Sequence, residues 1–202
     1  MKSKLLLIKI VLSVCFIGIS GMSYAQWRMS IAGSYNFTTF DLHDNFHNGF
    51  GAHAAAYYYF NEAPFTASVS FGVNKFNAHS EYENAIEQEQ HLAIDFDYKV
   101  RTYSVPMFVG ADFHLFREKR IQALVGIDLG VNAVTYKVKQ IGNYTSDTEK
   151  DIQYQFGIYP HIGAVIRVAD DMGILVKGGC NRTFGDRDIS YADLRLGLVY
   201  KI

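Results

Sequence analysis

The chain has 202 residues, of which 19 are Lys or Arg and 20 are Asp or Glu, so its formal net charge is −1. Without its first 25 residues, which hold three lysines and no acids, the chain is mildly acidic, and this argues against nucleic acid as a partner. Hydrophobic residues make up 49% of the chain, yet no segment after the first 25 residues is apolar over the length of a transmembrane helix. A membrane role would therefore have to use strands.

The first 25 residues have the features of a secretory signal peptide. A positively charged start contains Lys2, Lys4 and Lys9. A short apolar stretch follows, and Ser23, Tyr24 and Ala25 form a cleavage site with small residues at its first and third positions. We expect cleavage after Ala25, which assigns residues 1–25 to the signal and residues 26–202 to one domain. Loss of the three lysines leaves 16 basic and 20 acidic residues, a net charge of −4.

Two alternatives apply to this N-terminal segment. It could remain as a transmembrane helix, but its apolar stretch is short and a cleavage site follows. It could carry a lipid on Cys15, but Val14 rather than a small residue precedes this cysteine. After cleavage Cys180 is the one remaining cysteine, which excludes an intramolecular disulfide.

Eight segments of the domain alternate apolar and polar residues, which is the period of a β-strand. They cover residues 27–37, 49–60, 65–76, 92–116, 121–139, 152–168, 173–183 and 190–202. Short polar turns at 61–64, 117–120 and 169–172 alternate with connections at 38–48, 77–91, 140–151 and 184–189, most of which are longer. This rhythm is typical of an even-stranded outer-membrane barrel. The sequence therefore predicts an all-β fold, an eight-stranded antiparallel up-and-down transmembrane β-barrel.

Each predicted strand has one apolar face and one face of small, polar and charged residues. The polar faces carry Arg28, Asp128, Arg167, Lys177, Asp193, Arg195 and Lys201. A soluble ligand-carrying barrel of the lipocalin type would turn the apolar faces inward, whereas a membrane barrel turns them toward lipid. The export signal and the terminal strand favour the membrane arrangement, in which opposite charges pair inside a lumen just wide enough for side chains. Cys180 falls on an apolar face and is expected to face lipid.

Aromatic residues near the short turns are expected to form a girdle at the periplasmic interface. The members are Trp27, Tyr58, Phe60, Phe65, Phe116 and Tyr200.

The chain ends on a strand, Arg195 to Ile202, that is apolar at alternate positions and carries Tyr200 near its end. This ending and the segment Tyr103 to Phe108 resemble the small outer-membrane β-barrels of the OmpX- and OmpA-barrel-like porin family, and the resemblance covers nearly all of residues 26–202. It implies a Gram-negative cell-envelope protein whose last strand is read by the barrel-assembly machinery and whose surroundings are outer-membrane lipids and lipopolysaccharide. Such families include envelope stabilisers, adhesins, host-interaction proteins and a few lipid-modifying enzymes, so the fold does not determine the function.

The fourth segment reverses its alternation. Between residues 94 and 100 the apolar residues occupy even positions, and between 109 and 115 they occupy odd positions. Alternation in a strand reverses where a residue is inserted. We therefore predict a β-bulge between Arg101 and Met107, where Pro106 is tolerated.

The segments 92–116, 121–139 and 152–168 are longer than the about 9–11 residues that a tilted strand needs to cross a bilayer. We predict that residues 92–98, 135–139 and 152–155 project outside the membrane as a paired sheet whose edges can add a partner strand. The alternative is that these ends are loops. If the sheet forms, deletion of residues 78–90 should remove partner binding and leave assembly intact.

Two loop clusters could bind cations. His43, Asp44 and His47 place two imidazoles near an acid in the first loop, which suits either a metal site or a solvated loop. The second loop carries an acidic run that suits either cations among lipopolysaccharide phosphates or a solvated surface. The run consists of Glu81, Glu83, Glu87 and Glu89.

His53, His114 and His161 lie within strands, and we expect His53 and His161 to belong to an interior polar network. The chain has no His-x-Ser pair and no Gly-x-Ser-x-Gly motif. We therefore assign no catalytic, cofactor-binding or metal-binding residue. The expected role is structural, or an interaction with a surface partner through the loops, with a closed and polar lumen. An outer-membrane enzyme that transfers or removes lipid A acyl chains is the alternative, and a narrow pore is a weaker one.

Overall fold

The computed structural model describes residues 27–39, 46–60, 63–80, 97–116, 119–141, 146–185 and 189–202. It has eight strands: β1 (Trp27–Thr38), β2 (Gly49–Tyr59), β3 (Phe65–Asn77), β4 (Asp97–Leu115), β5 (Ile121–Ile141), β6 (Ser146–Arg167), β7 (Met172–Phe184) and β8 (Tyr191–Lys201). Within the described part of the chain, no helix is long and apolar enough to cross a membrane.

The strands form a closed antiparallel barrel in which each pairs with its neighbours in sequence and β8 pairs with β1. The eight predicted strands and the up-and-down topology are confirmed. The short connections after β2, β4 and β6, together with Trp27 and Ile202, lie at one end of the barrel, called here the short-turn end. The connections after β1, β3, β5 and β7 lie at the long-loop end. The predicted signal, residues 1–25, lies outside the described residues.

The hairpin of β5 and β6 differs from the expectation. Most of the expected connection 140–151 is strand, because pairing between β5 and β6 continues to Ile141 and Ser146. The connection is thus reduced to residues 142–145. A run of polar and charged residues at this end of the hairpin obscures the alternation from which strands are predicted. In β4 the described strand begins at Asp97, and the expected positions 92–96 lie outside the described residues.

The outer surface of the barrel is apolar. Alternate residues of every strand point outward, and Ile31, Val69 and Leu196 are each 60–73% exposed. The opposite faces are buried and mostly small or polar, so the predicted assignment of faces is confirmed. Cys180 is on the outer surface, as expected.

The predicted girdle surrounds the short-turn end. The rings of Trp27 and Tyr58 lie 5.3 Å apart, and those of Tyr58 and Phe60 lie 5.0 Å apart. Phe65 and Tyr200 are more than half exposed at the same end. Phe116 is also exposed, and it enters the tight turn after β4 with a φ of 58°. Aromatic rings in this position suit a membrane interface.

The β-bulge predicted between Arg101 and Met107 is wrong. All 19 residues of β4 pair with β5 in one continuous register. Pairing with β3 keeps the same register on both sides of Pro106 and omits two pairs beside it. A proline has no N–H to donate, which accounts for the gap on this side without any inserted residue.

The reversal of polarity in β4 comes instead from a change of surroundings. Val100 points to the interior, like Ser104 and Phe108 further along the strand, and is 3% exposed. It belongs to a buried apolar cluster at the long-loop end, called here the long-loop cluster. The members of this cluster are Phe46, Phe76, Ala78, Val100, Val134, Ile189 and Tyr191. Further along β4 the outward residues are apolar, as at Met107 and Val109, whereas at the level of this cluster the outward residue is Arg101 and the interior is apolar.

A second buried apolar cluster lies in the interior near the short-turn end. Its members are Leu124, Val165, Leu175 and Val199, called here the short-turn cluster. Polar side chains occupy the interior between the two clusters. The barrel interior therefore has three levels, with apolar packing at both ends.

Candidate functional site

The interior contains buried ionisable side chains from the polar strand faces, most of them in the middle level; His114 lies beside Leu124 of the short-turn cluster. They form a set called here the lumen network, each member at most 6% exposed: His53, Asp112, His114, Asp128, His161, Lys177, Asp193 and Arg195. Buried charges persist when they are paired or hydrogen-bonded. The partners of these groups therefore indicate what the interior does.

Asp112 of β4 and His161 of β6 form the shortest charged contact in the network. His161 Nε2 lies 2.6 Å from Asp112 Oδ1, and its Nδ1 lies 3.0 Å from the backbone oxygen of Tyr159. Because a carbonyl oxygen can only accept, Nδ1 carries a proton. Nε2 then either donates to an ionised Asp112 or accepts from its acid form. The pair has a net charge of zero in both cases.

Asp128 of β5 and Lys177 of β7 form a second pair, with 3.6 Å between Lys177 Nζ and Asp128 Oδ2. The same oxygen of Asp128 lies 3.8 Å from His161 Nδ1, which links this pair to the first. Ser68 Oγ donates to Asp128 Oδ1 across 3.4 Å. The ammonium group of Lys177 is thus the closest cation to the carboxylate of Asp128, and Asp128 is only 1% exposed.

Arg195 and Asp193, both on β8, form a third pair. Arg195 Nη2 and Nε donate to Asp193 Oδ2 over 2.7 and 2.8 Å. Tyr159 donates its hydroxyl to Asp193 Oδ1 over 2.5 Å, and the guanidinium lies 4.2 Å from the centre of the Tyr159 ring. Three carboxylates thus face three basic groups, and the charges within these three pairs balance.

Two glycines of the middle strands leave room for these side chains. A Cβ at Gly126 would collide with the Asp112 carboxylate and the His161 ring, and one at Gly110 would collide with the carboxylate of Asp128. The alternation of glycine with charged residues in β4 and β5 therefore provides the space that the ion pairs occupy.

The space left in the network is small. A cavity of about 10 Å³ lies beside His53, Asp128 and Lys177. The volume suits about one water molecule. The side chains that line this cavity therefore pack closely around it.

The expectation that His53 and His161 join the polar network is confirmed, and His114 also contributes. His53 Nε2 lies 3.1 Å from Ser34 Oγ and 3.0 Å from Asn74 Oδ1. His114 Nε2 lies 3.0 Å from Thr66 Oγ1. Ser34 and His53 are each 6% exposed, so their serine–histidine contact is enclosed by the barrel wall.

One group of buried residues has the spacing of a metal site that sequence analysis did not identify. Ligand atoms of Asp112, Asp128 and His161 all lie within 4.8 Å of one another. Both ring nitrogens of His161 already bind oxygen atoms, and Lys177 lies against Asp128. The group thus has the contacts of an ion-pair network. No local motif could have revealed it, because the three residues lie on three different strands.

The two loop clusters of the sequence lie mostly outside the described residues. The residues that lie outside the described part of the chain are His43, Asp44 and the acidic run of Glu81, Glu83, Glu87 and Glu89. His47 is described, and its ring centre lies 3.8 Å from that of His79 in the second loop. The structure therefore joins His47 to a histidine that the sequence analysis did not connect with it.

The middle strands extend well beyond their neighbours at the long-loop end. β4, β5 and β6 contain 19, 21 and 22 residues, whereas the other five strands contain 11–13. Pairing aligns Asp97 with Ile141, and Ile141 with Ser146. The predicted paired sheet at 135–139 and 152–155 is therefore confirmed. We call the part of β4–β6 that extends from the register partners Tyr103, Thr135 and Ile152 to the long-loop end the projection.

The projection has an unpaired edge. β7 pairs with β6 from Phe156 onward, so the described β6 residues from Ser146 to Gln155 have β5 as their one strand neighbour. Backbone N–H and C=O groups along such an edge can pair with another chain.

Comparison with known proteins agrees with the fold. Neisserial surface protein A is similar, with a TM-score of 0.54 and 12% identity over 87% of this chain and 97% of that one. Ail, the attachment invasion locus protein of Yersinia pestis, gives 0.53 and 13% over 88% and 99%. OprG of Pseudomonas aeruginosa gives 0.53 and 9% over 91% and 99%. No curated protein matches the sequence.

The family comparison covers nearly the whole chain. Residues 11–201 match the model of the outer membrane protein beta-barrel domain. The closed eight-stranded barrel, its apolar outer surface and its polar interior are what this family requires. The chain therefore belongs to the outer-membrane β-barrel protein family.

Proposed function

We propose that the protein is a non-conducting barrel that presents the projection to a protein partner at the cell surface. The observation that carries the proposal is the length of β4–β6. A tilted strand crosses a bilayer in about 9–11 residues, so strands of 19–22 residues leave a surplus of about ten. The long-loop cluster packs beneath this surplus, with Phe76 and Val134 fully buried. A folded sheet with an apolar cluster packed beneath it is suited to binding a partner protein.

The unpaired edge of β6 provides the means of binding. An extended segment of a partner can add to it as a further strand, with backbone hydrogen bonds for affinity and side-chain contacts for specificity. Among the structures that share this fold are a surface protein and an attachment protein. For this chain, the support for binding a protein partner comes from the unpaired edge of β6.

A closed lumen is part of the proposal. The lumen network and the two apolar clusters leave little free volume, which supports a barrel that does not conduct. We also propose no enzymatic activity, because the contact between Ser34 and His53 is enclosed. Planar-bilayer conductance and lipid A mass profiles with and without the protein test these two statements; steady ion current or an altered acyl pattern would contradict them.

Shortening the projection tests the partner role. Thr135 and Ile152 are register partners, so an Asn-Gly turn can join them in place of residues 136–151 without altering the barrel below. Asp151 is exposed on the unpaired edge, so a photo-cross-linking residue placed there in the full chain should capture a protein from outside intact cells. Arg120, exposed at the short-turn end, is the matched control position.

The expected result is an adduct at position 151 that is lacking at position 120. Added full chain in lipid nanodiscs should suppress this adduct by competing for the partner, whereas the shortened chain in nanodiscs should not. The shortened chain should still form a barrel, because the membrane strands and the terminal strand are unchanged. A full chain that captures no protein at position 151 contradicts the partner role. Deletion of residues 78–90 is a second test, which is expected to remove partner binding and to leave barrel assembly intact.

A further inference from the structure

Basic residues line the outer face of three adjacent strands at the base of the projection. They are Lys75 of β3, Arg101 of β4 and Lys137 of β5, called here the basic row. Lys75 and Arg101 are exposed and Lys137 is half-buried, and all three lie on the outward side. Arg101 is the register partner of Lys137. Lys75 pairs with Tyr103, the next outward residue of β4.

The basic row lies where the apolar outer surface ends. In β3 the last apolar outward residue is Val73, and Lys75 is the next outward position. In β4 and β5 one residue, Tyr103 or Thr135, separates the apolar positions from the basic one. Since the apolar band marks the hydrocarbon of the membrane, the basic row lies at the level of the outer headgroups.

The three residues of the basic row make no ion pair with any acid whose side chain the structure describes. Lys137 Nζ instead lies 4.6 Å from the centre of the Tyr103 ring. On the inner side the same level is occupied by the apolar side chains of Phe76, Val100 and Val134.

Like charges directly opposite each other destabilise a sheet. The register nevertheless places Arg101 opposite Lys137 on the outward side. An anion that binds from outside the barrel would remove this repulsion.

We propose that the basic row binds the phosphate groups of glycolipids in the outer leaflet. A phosphate accepts several charge-assisted hydrogen bonds from lysine and arginine, and the lipid carries it at the depth of the basic row. The row faces sideways from the barrel wall, toward the surrounding leaflet. This contact is separate from the edge of β6, and it holds the base of the projection at a defined height above the membrane.

Native mass spectrometry of the folded full chain tests the proposal, with diphosphoryl lipid A and dephosphorylated lipid A as probes. The test variant is Arg101→Gln with Lys137→Gln. The matched control is Lys119→Gln with Arg120→Gln, which removes the same charge from exposed residues at the short-turn end. A basic residue near an anionic membrane surface changes binding about fivefold. By the same principle, we expect about 25-fold weaker binding of diphosphoryl lipid A by the test variant and little change in the control.

A charge-retaining variant, Arg101→Lys with Lys137→Arg, keeps the test independent of folding. It should bind diphosphoryl lipid A within about threefold of the natural chain, given that point charges dominate phosphate binding near a membrane surface. Equal binding of the two forms of lipid A, or equal losses in the test variant and the control, would overturn the proposal. Displacement of lipid A by equimolar inorganic pyrophosphate or sucrose octasulfate would also overturn it, because the ligand would then be a soluble anion.

Discussion

Replacing Lys177 with methionine tests whether the lumen network is held together as charge pairs. Methionine keeps most of the apolar stem but removes the ammonium group 3.6 Å from Asp128. Lys177 is 4% exposed and Asp128 is 1% exposed, so bulk solvent does not screen the carboxylate charge left behind. Removing one partner of a buried pair costs about 3–5 kcal/mol. Because His161 Nδ1 lies 3.8 Å from the same carboxylate oxygen, we expect the lower end, about 3 kcal/mol.

The double variant Lys177→Met with Asp128→Asn should recover most of this loss. It leaves no unpaired charge, and neutral replacement of a buried ion pair is often close to neutral in stability. Arg120→Met, an exposed change at the short-turn end, should alter stability by no more than about 0.5 kcal/mol.

Urea unfolding of the protein in lipid vesicles measures these differences through the fluorescence of Trp27, the single tryptophan. A loss below about 1 kcal/mol for the single variant would mean that Lys177 is not a required partner of Asp128. A double variant no more stable than the single one would show that packing, rather than charge, sets the cost.

Three other predictions follow from the barrel. Because the eight strands close on themselves, unboiled protein in detergent should migrate differently from boiled protein; equal migration would argue against a closed barrel. Cys180 points outward among membrane strands, so a charged impermeant maleimide should label the denatured protein but not the folded protein in membranes, and rapid labelling of the latter would contradict a lipid-facing position. Phe76→Ala removes a fully buried ring of the long-loop cluster, which typically costs about 3–5 kcal/mol of stability. Amide exchange at 134–138 should accelerate while 123–131 stays protected. Unchanged exchange at 134–138 would show that the stability of the projection does not depend on this cluster.

Strand positions and faces could be predicted because lipid and a packed polar interior impose opposite demands on alternate residues. The prediction failed in β4 for a physical reason. An inserted residue and a change of outer solvent both reverse the polarity of alternate positions, and the sequence around Pro106 is the same in either case. The buried side chain of Val100 distinguishes them, since it keeps the inward parity of Ser104.

The contacts of the lumen network could be predicted in kind but not in detail. The sequence places His161 and Asp112 on inward faces, and a polar interior suggests that such groups pair. The two residues are 49 positions apart, and their contact depends on how the strands are staggered around the barrel. Alternation along a single strand carries no information on that stagger.

Pro106 of β4 and Pro160 of β6 interrupt the pairing between neighbouring strands at two places in the barrel wall. β4, β5 and β6 are linked by uninterrupted ladders, whereas the seam between β3 and β4 lacks two pairs at Pro106 and the seam between β6 and β7 lacks two pairs at Pro160. Neighbouring strands in sequence make local contacts, which form fastest. We therefore expect β4–β6 to assemble early as one three-stranded unit and the two pairings interrupted by proline to complete after it. The pairing of β1 with β8, the strands farthest apart in sequence, should close the wall last.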